Sequence, residues 1–314
     1  MHRRRFLLYS AISLSPWLGG CGEPEPLRVS YHPWIGYETL SLAGQFGWLP
    51  GNVDLERRHS ASASLDALRE EQADAAALTL DEVARARTQG LDLVVVLVFD
   101  VSAGADVVLA DPTIRRIADL RGRRIGVETS AVGSLMLDRA LEAGGLDRSD
   151  VTVIDLPADR HLVAWENRRV DALVNYEPLA SRLQQAGMAR LADSRDFPDT
   201  IFDVLAVRRE RLGGARRSLH GLVDAHFRAL EHLRISRQDA IYRISEIGGV
   251  GPETVRRSLA GVLLPDRVSN LRYLGTESRL VEVGGEFLHR YGGGKQSADW
   301  ISDEFVRSGE RNGA

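Results

Sequence analysis

Three observations predict an α/β protein of two lobes, with a hinge of two crossing segments and a helical C-terminal region. Short β-rich runs alternate with helical patterns from Leu27 to Arg208, one helix-to-strand unit occurs twice, and after Arg208 the pattern is helical only. The expected division is a leader over 1–21, a tether over 22–26, a first lobe from 27–107 and 205–314, and a second lobe over 108–204.

The chain of 314 residues opens with Arg3, Arg4 and Arg5, an apolar stretch from Phe6 to Leu18, and then Leu18-Gly19-Gly20-Cys21. A basic start, a short apolar middle and a small-residue end make a signal peptide. The apolar stretch is too short for a membrane-crossing helix, which takes roughly 20 residues, and Ser10, Ser13, Ser15 and Pro16 interrupt it. The segment ending at Cys21 resembles a bacterial lipobox, which implies lipidation of Cys21, the only cysteine. Arg3 to Leu7 fits a twin-arginine export signal and an ordinary basic start equally. With Cys21 lipidated, neither a disulfide framework nor a thiol nucleophile remains. Gly22 to Pro26 reads as a short stiff tether, so the folded body is expected in the periplasm, anchored to a membrane.

Strands are expected at Leu27 to Tyr31, Val53 to Arg57, Ala75 to Leu78, Leu93 to Phe99, Arg124 to Glu128, Val151 to Leu156 and Ala172 to Asn175. The repeat joins Ser64-Leu65-Asp66-Ala67-Leu68, followed by Asp74-Ala75, to His161-Leu162-Val163-Ala164-Trp165, followed by Asp171-Ala172, at an offset of 97 residues. Each copy carries a helix through a charged turn into a strand. Asp74 and Asp171 open buried strands and read as hydrogen-bond acceptors, not as a catalytic pair. The lobes are expected to join through Val107 to Asp111 and again through Asp203 to Arg208, and two crossings define a cleft. Helices follow at Arg216 to Leu233, Gln238 to Ile247, Pro252 to Gly261 and Ser278 to His289, packed back on the first lobe.

The net charge of −4 becomes more negative once Arg3, Arg4 and Arg5 leave with the leader, and there is no long basic run, which argues against a nucleic-acid partner. The eight histidines make no His-Glu-x-x-His pair, and His220, His226 and His232, six apart, do not share a helix face. Gly292-Gly293-Gly294-Lys295 lacks the hydroxyl residue and upstream strand of a phosphate loop, and no Gly-x-Ser-x-Gly elbow occurs. A binding protein that is not an enzyme, with no cofactor and no metal, is expected.

Tyr31-His32-Pro33-Trp34-Ile35-Gly36-Tyr37-Glu38, Asp74 to Glu82, Ser102-Ala103-Gly104-Ala105-Asp106, Arg123 to Ser134, Val170 to Pro178 and Asp203-Val204-Leu205 together resemble the bacterial binding-protein family that serves uptake of nitrate, sulfonates, taurine and thiamine pyrimidine precursors. The resemblance covers Leu27 to Arg208. It implies a type II periplasmic-binding-protein fold, a small-molecule ligand between the lobes and delivery to a permease with its ATPase. A membrane signalling receptor is the alternative partner, and the protein itself is expected as a monomer. The enzymatic branch of this fold, the fungal thiamine-precursor synthases, resembles a cysteine-rich pattern that a chain with Cys21 alone does not carry.

Ligands of open parallel sheets sit beyond the carboxyl ends of the strands, which directs attention to four loops. In the first, Trp34 and Tyr37 offer flat surfaces, Gly36 lets backbone approach, and Glu38 is either a ligand group or a helix-start carboxylate. In the second, Thr79 is spaced from Glu82 as in a capping box, and Thr79 and Asp81 are candidates for ligand contact. The third, Thr129, Ser130, Ala131 and on to Ser134, opens a helix whose free amides suit an anionic group. In the fourth, Tyr176 faces Trp34 across the cleft. Glu177, with Asp106 and Asp203 from the crossing segments beside Ser102, would supply carboxylates for a cationic group. The expected ligand is therefore amine-bearing or heterocyclic.

Overall fold

Leu93 to Val98 is an unbroken apolar run with no turn residue, and it lies within a ten-residue strand buried along its whole length. Such continuous runs mark strands covered on both faces. The computed structural model describes residues 26–293 and 298–307. The signal peptide, the lipidation at Cys21 and all of the tether but Pro26 lie outside the described residues.

In chain order the strands are β1 (Leu27–Tyr31), β2 (Val53–Arg57), β3 (Ala75–Thr79), β4 (Leu93–Ser102), β5 (Asp106–Ala110), β6 (Arg124–Val127), β7 (Thr152–Asp155), β8 (Ala172–Tyr176), β9 (Ala189–Asp193), β10 (Phe202–Arg208) and β11 (Val262–Leu263). The helices are α1 (Glu38–Gln45), α2 (Ala61–Arg69), α3 (Leu80–Thr88), α4 (Gly133–Ala143), α5 (His161–Glu166), α6 (Leu179–Gln185), α7 (Arg216–Ile235), α8 (Arg237–Gly248), α9 (Pro252–Leu259), α10 (Arg267–Tyr273) and α11 (Arg279–Arg290). They flank two sheets, ordered β11-β4-β10-β3-β1-β2 and β7-β6-β8-β5-β9. In the first, β1 runs parallel to β2 and β3, and β10 runs antiparallel to β3 and β4. In the second, β6 runs parallel to β7 and β8, and β5 runs antiparallel to β8 and β9. The topology is the same in both.

The repeat extends to side chains. Asp74 accepts from the Arg28 backbone amide at 2.9 Å and from its guanidinium at 3.1 and 2.8 Å, and Asp171 accepts from Arg124 in the same way at 2.8, 3.1 and 2.8 Å. The charged turns match as well: Glu71 and Arg168 both have positive φ, 57° and 55°. Each Asp ties the start of β3 or β8 to its neighbour strand, the structural role expected of it.

The crossings lie elsewhere than expected. Val107 to Ala110 belongs to β5 and Asp203 to Arg208 to β10, so the expected boundaries at 107/108 and 204/205 cut strands. The chain changes sheet at 103–105 and again at 194–201. Each antiparallel strand is entered directly from the other sheet, and pairing between distant segments decides its membership. Ser102 Oγ meets Ser194 Oγ at 2.7 Å and the Gly104 amide donates to Ser194 Oγ at 2.6 Å, which pins the two crossings together.

The C-terminal helices brace the first sheet. α7 packs on α1, α11 on α3, and β11 pairs with the end of β4. His226 of α7 is buried against Thr39 Oγ1 at 2.8 Å and the Phe99 ring, and burial pushes its pKa down to about 3. No helix of the described residues is long and apolar enough to cross a membrane.

Candidate functional site

The ends of β1, β3 and β4 and the start of β10 lie on one edge of the first sheet; the ends of β6 and β8 and the start of β5 form the matching edge of the second. Asp203 pairs in register with Thr79 on one side and Asp100 on the other, and Asp106 pairs with Tyr176. Asp106 and Asp203 thus hold equivalent places in the two sheets.

After β1 the chain turns through His32 and Pro33 into a single 3-10 turn, Ile35–Tyr37, and α1. This turn sends Trp34 and Tyr37 down onto the aspartates. Trp34 Nε1 donates to Asp100 Oδ2 at 2.9 Å, and the Tyr37 hydroxyl donates to Asp203. The Trp34 ring meets Tyr176 of the opposite sheet edge-on at 5.8 Å, and His32 lies between Tyr37 (5.2 Å) and Tyr176 (5.9 Å). Gly36 is required by these side chains. A Cβ there would lie 1.7 Å from Asp100 Oδ2 and 2.8 Å from Trp34 Nε1.

Every member of the group is buried. Burial is the first cause that lifts the Asp100 and Asp203 carboxyls well above the usual range, and their neighbouring carboxylates add to it. Burial carries Asp106 to about 7, against the pull of Ser102, and Glu82 to about 8, against the pull of the Thr79 amide. His32 is pushed the other way, to about 3, by burial and by Arg57. Among the described residues no donor reaches Asp100 Oδ1, Asp106 Oδ2, Asp203 Oδ2 or Glu128 Oε2, and the Tyr176 hydroxyl has no partner. Carboxyls raised in this way keep their protons near neutral pH, and Asp100 and Asp203 lie close enough to share one in a hydrogen bond.

Asp106, Glu128, Ala131, Gly133, His161, Asn175 and Tyr176 line a cavity of about 10 Å³, room for about one water. Its wall is fixed by His161, whose Nε2 donates to the Leu156 carbonyl at 3.0 Å and whose Nδ1 accepts from Asn175 at 2.9 Å. Burial holds this ring neutral, with a pKa near 4. On the outer rim, a pocket of about 360 Å³ lies between Pro33, Arg57, Arg58 and His59 on one side and Pro178, Leu179 and Arg182 on the other. Its three arginines make it basic, whereas the interior is acidic.

The structure brings Trp34, Gly36, Tyr37, Thr79, Asp106, Ala131, Tyr176 and Asp203 to the facing edges. Other expected residues point elsewhere. Glu38 pairs with Arg57 at 3.0 Å; Asp81 is held by Arg85 at 3.2 Å and by the Tyr291 hydroxyl. Ser134 accepts from Arg148 at 2.6 Å on the outer side of α4, and Ser102 belongs to the crossing. Glu177 accepts from the Ser181 amide at 3.1 Å, beside Arg190 and Ser258, and stands apart from the aspartates. Most amides of the third loop are taken. Thr129 donates to Asp155 at 3.0 Å, Ala131 to the Glu128 carbonyl at 3.2 Å and Val132 to Glu82 Oε1 at 3.1 Å, while Ser130 meets Ser62. Sequence reasoning missed Asp100, His32, Glu82 and Glu128 as members. An aspartate inside the apolar run Val98-Phe99-Asp100-Val101 was a usable signal.

Two sheets of this topology, joined by two crossings with aromatic and acidic side chains between their facing edges, define the type II periplasmic-binding-protein fold. The chain belongs to the NMT1-like family, whose model matches residues 20–247. It is similar to a candidate binding protein of Brucella abortus (strain 2308), 31% identical over 111 residues, 34% of this chain and 35% of that one. The match thus spans about a third of that relative's length. Among solved structures it is similar to the alkanesulfonate-binding protein SsuA from Xanthomonas axonopodis pv. citri bound to MOPS, with a TM-score of 0.70 and 21% identity, covering 86% of this chain and 94% of that one. The desulfurization enzyme DSZB shares the fold at a TM-score of 0.65 and 17% identity, covering 89% and 97%, so the fold alone does not separate binding from catalysis.

Proposed function

We propose that the chain is an extracytoplasmic solute-binding protein, and not an enzyme, which captures a small amine-bearing or heterocyclic molecule between its lobes for delivery to an ABC transporter. In this reading the lobes are 26–102 with 202–307, and 106–193. Cys21 carries the lipid that tethers a monomer in the periplasm. The observation that supports the ligand class most is the convergence of Asp100, Asp106 and Asp203 between Trp34, Tyr37 and Tyr176, with carboxylate oxygens that no donor among the described residues reaches. An ammonium or protonated ring supplies those donors, and aromatic faces add cation–π attraction. A bound cation draws the protons off these raised carboxyls and pairs with the resulting carboxylates, an attraction that a sulfonate, the ligand class in the name of the Xanthomonas relative, does not gain.

A thermal-shift screen of residues 23–314 against amines, pyrimidines, amino acids, sulfonates and nitrate tests this. A ligand at a hundred times its Kd stabilises by about 2.7 kcal/mol, a readily seen shift. Hits among amines or protonated heterocycles support the assignment, and hits confined to bare anions overturn it.

A further inference from the structure

Each half of the molecule sends one glutamate into the other. Glu82, in the first turn of α3, uses Oε2 to accept the Thr79 amide of its own capping box at 2.9 Å, and uses Oε1 to accept the Val132 amide, immediately before α4, at 3.1 Å. Glu128, at the end of β6, reaches back. Its Oε1 accepts the Ser62 amide in the first turn of α2 at 2.9 Å and the Ser62 hydroxyl, and Ser62 in turn meets Ser130. Both glutamates are buried, and the second oxygen of Glu128 has no partner among the described residues. The two helices are long enough, 9 and 11 residues, for their first amides to attract an anionic group. Each of these positions is already occupied by a carboxyl group from the opposite half.

We infer that Glu82 and Glu128 are specificity-determining residues which fill, from within the chain, the two anion seats of the cleft and so exclude ligands with sulfonate, carboxylate or phosphate groups. An incoming anion would have to displace a carboxyl from Val132 or Ser62 and then lie beside the displaced group and the three aspartates. An ammonium meets no such competition. This rests on the cleft being the ligand site.

The test is calorimetric titration of residues 23–314 with ethanesulfonate, comparing the unmodified chain with Glu82→Ala, Glu128→Ala, the double variant and Glu82→Gln. Alanine empties a seat, whereas glutamine keeps it filled. The expected result is no ethanesulfonate binding by the unmodified chain or Glu82→Gln, with affinity appearing in the alanine variants and rising about tenfold or more in the double variant. Folded alanine variants that bind ethanesulfonate no better than the unmodified chain overturn the inference, as does an unmodified chain that binds it equally well. Glu82→Ala also removes half of a capping box. Should it fail to fold, Glu128→Ala carries the test, since Glu128 caps no helix of its own half. If instead no solute of the thermal-shift screen binds the unmodified chain, the solute-binding reading fails, while the ethanesulfonate comparison still reports on the seats.

Discussion

Raising the pH from about 7 to about 8.5 should lower the stability of this protein, against the usual behaviour of carboxylates in ion pairs. Glu82 and Asp106 are lifted to about 8 and about 7 by burial, whereas an unfolded carboxyl titrates near 4. A group raised in the folded state lends stability that is complete below its unfolded value and is lost as pH rises through the folded one. Across this window Glu82 gives up about 1.2 kcal/mol and Asp106 about 0.4 kcal/mol. Buried histidines act in the opposite sense. His32 and His226, at about 3, and His161, at about 4, stay neutral, and their contribution is nearly complete once pH exceeds the unfolded value; the three together return about 0.5 kcal/mol. The net loss is about 1 kcal/mol before the raised Asp100 and Asp203 pair adds in the same direction, and each kcal/mol lowers Tm by about 1.5–2 °C for a chain of this size. Differential scanning calorimetry of residues 23–314 at constant ionic strength reads it directly, and Glu82→Gln should remove most of the slope. A Tm that is flat or rises over this range, or an unchanged slope in Glu82→Gln, refutes the account.

Gly36→Ala drives a methyl group into the Asp100 carboxyl, and should cost about 1–3 kcal/mol in urea unfolding while quenching or shifting Trp34 fluorescence through loss of its bond to Asp100. Arg168→Gly relieves a left-handed non-glycine residue and should stabilise by up to about 1 kcal/mol, measured as a higher urea midpoint. Asp74→Ala should cost about 2–3 kcal/mol, because it strips buried partners from Arg28 and Arg211. Asp171→Ala, at the same place in the more exposed copy, should cost about 1 kcal/mol. Equal costs at the two aspartates would contradict the burial difference between the copies.

Local periodicity was enough for the strands that lie between their own helices. Leu27–Tyr31 and Val53–Arg57 are the segments expected, and the four helices expected after Arg208 match α7, α8, α9 and α11 within two residues, whereas α10 and the short strand β11 were not expected in a region read as helical only. The crossings were misplaced for a physical reason: Val107 to Ala110 and Asp203 to Arg208 are ordinary apolar segments, and what makes them middle strands of a sheet is hydrogen bonding to chain far away in sequence. In the site, Trp34, Tyr37, Tyr176, Asp106 and Asp203 stood out because aromatic and acidic residues directly beside a strand are informative. Glu82 was legible only as a cap, since one of its oxygens does that local work and the other serves a helix fifty residues on. Glu177 looked equivalent to the aspartates, but the cation that claims it, Arg190, sits on β9, two strands across the sheet.

The exchange of β5 and β10 between the sheets sets an order of assembly. The second sheet is encoded by one continuous stretch from β5 to β9, and every strand it needs is present as soon as that stretch is made. The first sheet has β10 between β3 and β4, so its amino-terminal strands remain divided until about a hundred further residues have been synthesised. Contacts so distant in sequence are slow to form. The middle stretch of the growing chain is therefore expected to close first, while the first sheet waits for β10, the strand made directly after that stretch.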